Sequence, residues 1–399
     1  MSVGFGILFY LISKTGDDQI KTLYDLKEIP SYVSDKLQTN QNLKELVAEI
    51  EEGHSKMSNG NVSKEFVKNI QEKTSLLQSN FSFFEKVKLG FSKIKADLAE
   101  ADYIWVLLSV VAALISHWIR AMRWNLLIEP LGYKPRTLNT FFAVMIGYVA
   151  NLVVPRMGEV SRCAALGKSE GIPTDRLIGT IIIERGVDLI SLLVLTALTF
   201  ILQLDIIGDF FGTLAEDKGV NLLSPRYLGM AIVIIFSIFL IAKYGPKMLL
   251  QSLQGTSMYF KITRLIAGLM AGLKSISKMK SKRTFILQTI MIWICYYSMI
   301  YLVFPSYTPT ANLGPLAGLS ALVIGSFGMV APVQGGIGAY HWCLQTCLEL
   351  YHIPARDGIT LAFIVHTAQT LIVIVGGVLS LVLLPIFTKK KNLNISKYG

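Results

Sequence analysis

The sequence predicts an all-α polytopic membrane protein, and three observations lead to that fold class. Of the 399 residues, 52% are hydrophobic and only 16% are charged, whereas soluble chains carry about 25% charge. Mean hydropathy is +0.50, and several apolar runs approach or exceed the ~20 residues that a bilayer-crossing helix needs. The net charge of +11 belongs to loops that set topology, and no basic patch with interleaved aromatic residues indicates a nucleic-acid partner.

Composition divides the chain into segments. Residues 1–13 form an apolar N-terminal anchor, which either spans the membrane or lies at its interface. Residues 14–102 hold 13 Lys, no Arg and 15 acidic residues, with apolar positions at helical spacing that predict a helical extramembrane insertion. This insertion is a solvated helical hairpin or a partner-binding domain. The apolar runs that follow are 103–122, 138–155, 176–204, 227–243, 284–304, 314–331 and 358–388, and a basic tail occupies 389–399.

Basic residues set the predicted topology. The loop 243–283 holds nine basic residues and no acidic residue, so the positive-inside rule places it in the cytoplasm together with the C-terminus. The loop 120–137, which contains Arg120 and Arg123, goes to the same side. We therefore expect a multi-pass protein of a bacterial-type inner (plasma) membrane.

This topology leaves two apolar runs that cannot each cross the membrane once. Residues 138–175 must begin and end in the cytoplasm, and residues 314–357 must begin and end outside, so each is predicted to be a re-entrant hairpin. The tips fall near 155–159 and 332–338. Broken backbone at membrane depth is tolerated only where it lines a cavity or is buried in protein.

The two halves share a spacing of Gly and Pro. Pro173 closes the first hairpin and Pro354 the second, and twelve residues further on stand Arg185 and His366. The units 103–204 and 284–388, joined by 205–283, thus form an inverted repeat of span, re-entrant hairpin, span. Such repeats place substrate near the midplane at helix breaks. Coincidental spacing is the alternative.

Charged residues cluster in the first unit. Arg156, Glu159 and Arg162 follow one another at helical steps of three; two arginines beside a helix start suit a phosphate. The alternative is an ion cluster that only stabilises the hairpin. Glu184, Arg185 and Asp188 fall near mid-bilayer in the next span, where charge is costly and marks a candidate functional site. We expect Arg156 or Arg162 to complete this network; a structural salt bridge is the alternative.

The second unit offers neutral candidates. Gly335, Gly336 and Gly338 let backbone approach a ligand closely, or allow only a tight turn. His366 is a proton relay or a hydrogen-bonded structural residue. Cys343 and Cys347 are apolar filler, since no metal-ligand set surrounds them, and we expect no metal or cofactor. The remaining candidate substrate contacts of this unit are Gln334, His341 and Gln369.

Four stretches resemble one known family: RAMRWNLLIEPLG at 120–132, PRMGEVSR at 155–162, IIIERGVD at 181–188 and VQGGIGAYH at 333–341. The chain resembles, over 103–388, the flippase-like integral membrane family that includes the membrane domain of lysylphosphatidylglycerol flippase/synthetases. In the second hairpin that family reads PGGxGxxE, and here Gln334 and His341 replace its Pro and Glu. The resemblance implies a lipid flippase-like fold and a site at Arg156, Gly158, Glu159, Arg162, Glu184, Arg185 and Asp188.

These observations together predict a transporter that moves a phosphate-bearing polar lipid between leaflets, with its headgroup in a cavity between the hairpins. Its partner is a membrane lipid with an anionic or zwitterionic headgroup, and a separate lipid-modifying enzyme is a candidate partner; the oligomeric state is open. We expect no enzymatic activity and no lipid lysylation, because only KKKNLNISKYG follows the last span. The alternatives are a membrane enzyme acting on polyprenyl-phosphate or phospholipid headgroups, an ion-coupled small-solute transporter, and a scaffold acting through 14–102.

Overall fold

The regular structure of the protein is helical. The computed structural model describes residues 3–21, 33, 36–37, 39–58, 63–204, 279 and 281–398, and no strand occurs among them. The segment 205–283 that joins the two predicted units, with the predicted span 227–243 and the basic loop 243–283, lies outside these ranges except for residues 279 and 281–283.

The N-terminal part contains helices α1 (Val3–Lys21), α2 (Gln41–Ser58), α3 (Lys64–Ser79) and α4 (Phe83–Glu100). The Ser82 side chain accepts from the Glu85 backbone N–H while the Glu85 carboxylate accepts from the Ser82 backbone, a capping box that fixes the start of α4. Apolar residues on the inner faces of these helices pack together in one cluster, which explains the helical insertion that the sequence predicted. The cluster contains Leu43, Ile50, Leu77, Phe81 and Leu89.

Within the described part of the chain, four helices are long and apolar enough to cross a membrane. These are α5 (Tyr103–Ile128), α8 (Thr174–Leu202), α9 (Lys282–Tyr301) and the apolar part of α12 (Ala355–Tyr398). They coincide with four of the predicted spans. Helix α1 is not among them, because its apolar part covers only Phe5–Thr15.

Two helical hairpins lie at the predicted places. The first consists of α6 (Thr137–Val153) and α7 (Gly158–Glu170), and the second of α10 (Pro315–Val330) and α11 (Ala339–Glu349) with a 3-10 turn at Gln334–Gly336. Helices α6 and α10 have 17 and 16 residues, short of the ~20 that a crossing needs. Their re-entrant insertion and the inverted repeat stay predictions.

The first hairpin is antiparallel and tightly closed. At one end the Asn139 amide donates to the Glu170 carboxylate at 2.7 Å. At the other end Gly147 and Gly158 cross so closely that a Cβ on Gly147 would stand 2.8 Å from the Gly158 carbonyl oxygen. The two ends of the segment therefore lie side by side, as the hairpin prediction requires.

Three segment boundaries differ from the prediction. Helix α5 runs on to Ile128 and a 3-10 turn at Glu129–Leu131, so the assignment of Arg120 and Arg123 to a loop was wrong. Both arginines have carboxylate partners inside the protein, and the helix does not need to end before them. Helix α1 continues beyond residue 13 to Lys21, and α12 continues through the predicted tail to Tyr398.

The chain forms two compact units. One comprises Met1–Ser109, Met299–Ala317 and Ile324–Thr370, and includes the N-terminal helices and most of the second hairpin; the other comprises Val110–Ser298, Gly318–Val323 and Leu371–Gly399, and includes the first hairpin and α8. The predicted meeting of the two hairpins concerns both units and stays a prediction.

Candidate functional site

Two arginines of α5 occupy the centre of the charged cluster. Arg120 and Arg123 lie one turn apart with only 3% and 0% of their surfaces exposed. Arg120 Nη1 donates to Glu184 Oε1 at 2.5 Å and to Asp188 Oδ2 at 3.2 Å. Arg123 Nη2 donates to Asp188 Oδ1 at 2.7 Å. Because a buried charge is very costly without a partner, these contacts explain how both arginines are retained within an apolar helix.

A third arginine comes from the first hairpin. Arg162 Nη2 of α7 lies 3.1 Å from Glu184 Oε2, and its guanidinium stacks over the Trp124 ring at 4.8 Å. Trp124 is fixed in turn by its Nε1, which donates to Thr180 Oγ1 at 2.8 Å. Arg162 thus supplies the hairpin arginine that the sequence led us to expect.

The other two predicted arginines are more accessible. The Arg185 side chain is 46% exposed; its Nε lies 3.5 Å from Glu159 Oε1 and its Nη1 lies 4.0 Å from Asp188 Oδ2. Arg156 stands in the turn between α6 and α7 with a φ of 64°, and its side chain is exposed. Arg156 does not join the buried network, whereas Arg185 pairs at its edge.

The cluster carries an excess of positive charge. Among the described residues, four arginines (120, 123, 162 and 185) face three carboxylates (159, 184 and 188), which leaves 4 − 3 = +1. In a segment fit for lipid, an uncompensated charge favours a nearby anion. Glu184, Arg185 and Asp188 alone would have a negative net charge, and the additional arginines make the net charge of the cluster positive.

A cleft opens beside this cluster. It has a volume of about 10 Å³, room for about one water molecule, and is lined by Val144, Gly147, Tyr148, Asn151, Gly158, Glu159, Arg162 and Arg185. Gly158 begins α7 here, and its backbone N–H donates to Asn151 Oδ1 at 2.7 Å. A side chain at this position would collide with the Gly147 carbonyl and the Asn151 amide, so glycine is required for the two helices to meet at the cleft.

Three polar atoms of the lining residues lack hydrogen-bond partners among the described residues. These are Glu159 Oε2, Arg162 Nε and Arg162 Nη2, and all three are inaccessible to solvent. Arg162 Nη2 still forms the ion pair with Glu184. Buried polar atoms are normally satisfied, so Glu159 Oε2 and Arg162 Nε remain as one acceptor and one donor that a ligand or water could complete.

The predicted residues of the second hairpin come together in the other unit. His366 Nε2 lies 2.8 Å from the carbonyl oxygen of Gly335, whose φ is 58°, and the His341 ring centroid lies 4.8 Å from that of His366. Gln369 instead faces Ser109, whose Oγ accepts from its Nε2 at 2.9 Å. The other tip residues are the partly exposed Gln334 and the buried Gly336 and Gly338.

Sequence reasoning missed several members of the charged cluster. Arg120 and Arg123 were assigned to topology, and Tyr296, which accepts from Arg120 Nη2 at 2.6 Å, gave no signal. The spacing of three between the arginines, followed directly by Trp124, would have indicated one polar face on an otherwise apolar helix.

Comparison with known proteins identifies the family. The family model described as the lysylphosphatidylglycerol synthase TM region matches residues 81–377. The chain belongs to this family. The match confirms the resemblance, extends it to α4, and, with the four apolar helices, makes the chain a multi-pass integral membrane protein.

Two curated relatives are also similar. A UPF0104 membrane protein of Methanocaldococcus jannaschii is 26% identical over 260 residues, which cover 59% of this chain and 74% of the relative. A UPF0104 membrane protein of Methanothermobacter thermautotrophicus is 23% identical over 274 residues, covering 63% and 77%. No solved structure matches the chain significantly.

Proposed function

We propose that the chain is a flippase-like transporter that moves a phosphate-bearing polar lipid between the leaflets of the bilayer. The observation that carries the proposal is the +1 cluster, whose Arg120, Arg123, Arg162 and Glu184 are buried, at the side of a cleft lined by Arg162 and Arg185. A lipid phosphate supplies the missing negative charge, and its acyl chains remain in the surrounding lipid. Membership of a family named for a lipid-modifying system supports a lipid as the ligand.

The arginines have two different roles in this proposal: three provide a positive field and one binds the phosphate. Arg120, Arg123 and Arg162 are held by Glu184 and Asp188, so they provide a fixed positive field. Arg185 has two long contacts, 3.5 Å to Glu159 and 4.0 Å to Asp188, and its side chain is partly open to the cleft. A phosphate displaces Glu159 and binds Arg185 through paired hydrogen bonds, which guanidinium groups form readily.

The hairpins supply the remaining elements. Re-entrant insertion of α6–α7 would bring the start of α7, with its positive helix-dipole end, to membrane depth. An inverted repeat would let the protein expose the headgroup site to each side in turn. We also propose that the protein lies in a plasma membrane with its C-terminus in the cytoplasm, and that a separate enzyme modifies the transported lipid.

Transport in proteoliposomes tests the proposal. Fluorescent lipids with different phosphate-bearing headgroups are placed in one leaflet, and their transfer is followed by quenching from outside. Wild-type protein should accelerate transfer, and Arg185→Gln should lower the rate about tenfold or more, since a charge-assisted contact contributes about 1.5–3 kcal/mol. Arg176→Gln is the matched control, because Arg176 lies on the same helix with an exposed side chain.

Two results would contradict transport. One is a wild-type rate equal to that of protein-free liposomes with every headgroup, and the other is an Arg185→Gln rate equal to that of Arg176→Gln. Chromatography of the recovered lipid distinguishes the enzymatic alternative, because a transporter leaves the lipid chemically unchanged.

A further inference from the structure

The two histidines beside the tip of the second hairpin are buried in this structure. His341 is only 2% exposed and His366 only 9%, and His341 Nδ1 has no hydrogen-bond partner among the described residues. The Phe363 ring lies against His341, with centroids 4.8 Å apart. A ligand therefore cannot reach these side chains unless a neighbouring element moves away.

Helix α1 is part of what covers this tip. Its residues Leu8 and Ile12 form an apolar cluster with Val87 and Ile94 of α4. The same cluster includes the tip residue Ile337 and, on α12, Phe363, the residue that shields His341. Helix α1 also contacts α11 directly. The N-terminal helix thus lies over the break in the hairpin, within one compact unit.

The two covering helices are held in different ways. Helix α4 is tied by polar contacts: Asp97 Oδ2 accepts from Tyr307 and from Thr360 at 3.2 Å each, and Tyr307 also donates to Asp357 at 2.8 Å. In the apolar part of α1, Phe5–Thr15, the Ser13 and Thr15 hydroxyls donate to the Tyr10 and Leu11 carbonyl oxygens of the same helix. This part contacts the neighbouring elements through the apolar cluster that contains Leu8 and Ile12.

Helix α1 also lies outside the family match, which begins at residue 81. Its apolar part spans 11 residues, Phe5–Thr15, which is too short to cross a bilayer alone. We propose that α1 is an autoinhibitory cover that limits access to the tip of the second hairpin, and that its departure opens Ile337, His341 and His366 to the lipid. The link to transport rests on the proposed function; the cover itself does not.

Thiol labelling tests the cover directly. Ile337→Cys is introduced into full-length protein whose four native cysteines are replaced, and its reaction with a membrane-permeant maleimide is timed in nanodiscs. Adding Ile12→Asp places a charge at a position that is 0% exposed and should detach α1, raising the labelling rate about tenfold or more, since access depends exponentially on the cost of opening. Tyr10→Asp, at a position 55% exposed on the same helix, should leave the rate unchanged.

Equal labelling rates for Ile12→Asp and Tyr10→Asp would show that α1 does not cover the tip of the second hairpin. If the cysteine-free protein does not fold, hydrogen exchange of the α11 amides in the native-cysteine background gives the same comparison, with faster exchange expected only for Ile12→Asp. Ile12→Asp should also speed lipid transfer, and faster labelling with unchanged or slower transfer would overturn the inhibitory role. Absence of lipid transfer in wild-type protein would refute the proposed function. The labelling rates would still show whether α1 covers the tip of the second hairpin.

Discussion

Glu184 is the residue on which the charged cluster depends. It is 0% exposed, and its carboxylate lies within 2.5 Å of Arg120, 3.5 Å of Arg123 and 3.1 Å of Arg162. One side chain therefore joins α5, α7 and α8. Removing its charge would leave arginines buried without compensation, which costs more than the pairing itself contributes.

We predict that Glu184→Gln destabilises the protein by about 3–5 kcal/mol and lowers its unfolding temperature in detergent. Glu72→Gln is the control, because the Glu72–Lys68 pair is 4.0 Å long and both side chains are largely exposed; surface pairs contribute about 0–1 kcal/mol. Equal unfolding temperatures for the two variants would show that the buried network contributes little to folding.

Glu85 makes the stability of the N-terminal helices depend on pH. The hydrogen bond from Lys36 is the largest cause that lowers the pKa of Glu85, to about 2. Because the folded-state pKa lies below its ordinary value of 4.5, the stabilisation is present above about pH 4.5 and is lost as pH falls towards 2.

The N-terminal helices should therefore lose helicity as pH falls through this window, and Glu85→Gln should lower stability at pH 7 and flatten the dependence. Circular dichroism of the full chain during acid titration measures this. Glu52→Gln is the comparison for an exposed i,i+4 pair. A titration of Glu85→Gln that coincides with wild type would refute the assignment.

At the scale of elements, the first hairpin depends on glycines that let two helices touch. Gly158→Ala would force its Cβ against the Gly147 carbonyl and the Asn151 side chain. Because one of these atoms belongs to backbone, α6 and α7 must separate at the cleft. We predict destabilisation of about 1–3 kcal/mol and slower lipid transfer.

The control is Gly186→Ala on α8, where an added Cβ meets nothing within 4 Å. Alanine favours a helix interior over glycine by about 1 kcal/mol, so this variant should be neutral or slightly more stable. Thermal unfolding of both variants makes the comparison, and equal effects would show that the crossing is not tight in the membrane.

Tyr307 connects α4 to α12, because its hydroxyl contacts Asp97 of α4 and Asp357 of α12. Burial, together with the neighbouring carboxylates of Asp357 and Asp97, raises the pKa of the Tyr307 phenol, so its hydroxyl stays a donor. Tyr307→Phe removes that donor and should accelerate hydrogen exchange in α4 several-fold, roughly what a loss of about 1 kcal/mol gives. Tyr301→Phe is the control. Equal hydrogen-exchange rates in α4 for the two variants would show that the Tyr307 hydroxyl does not connect α4 to α12.

Sequence patterns predicted the positions of the helices better than they predicted the contacts between the helices. Apolar run length located α5, α8, α9 and α12, and charge parity indicated both hairpins. The same charge rule misplaced Arg120 and Arg123, since a local rule treats every arginine beside an apolar run as exposed. Their carboxylate partners lie more than 60 residues away, and no spacing along the chain reveals such a pairing. His341 and His366 were identified, but their burial beneath Phe363 requires tertiary structure.

At the scale of the whole molecule, family membership and the charged cluster support one account. The family match covers 81–377, and it includes every residue of the buried network as well as both hairpins. Residues 1–80 lie outside the match, and their α1 packs on the tip of the second hairpin. In this account the matched part moves lipid, and the N-terminal part regulates access.

In the proposed function, a lipid phosphate binds at the α6–α7 cleft and displaces Glu159 from Arg185. The most direct measurement is a cryo-electron microscopy structure of the full chain in nanodiscs containing phosphate-bearing lipids. The account predicts phosphate density about 3 Å from the Arg185 guanidinium, with Glu159 turned away. A lipid-saturated structure in which Glu159 still pairs with Arg185 and no headgroup enters the cleft would contradict it.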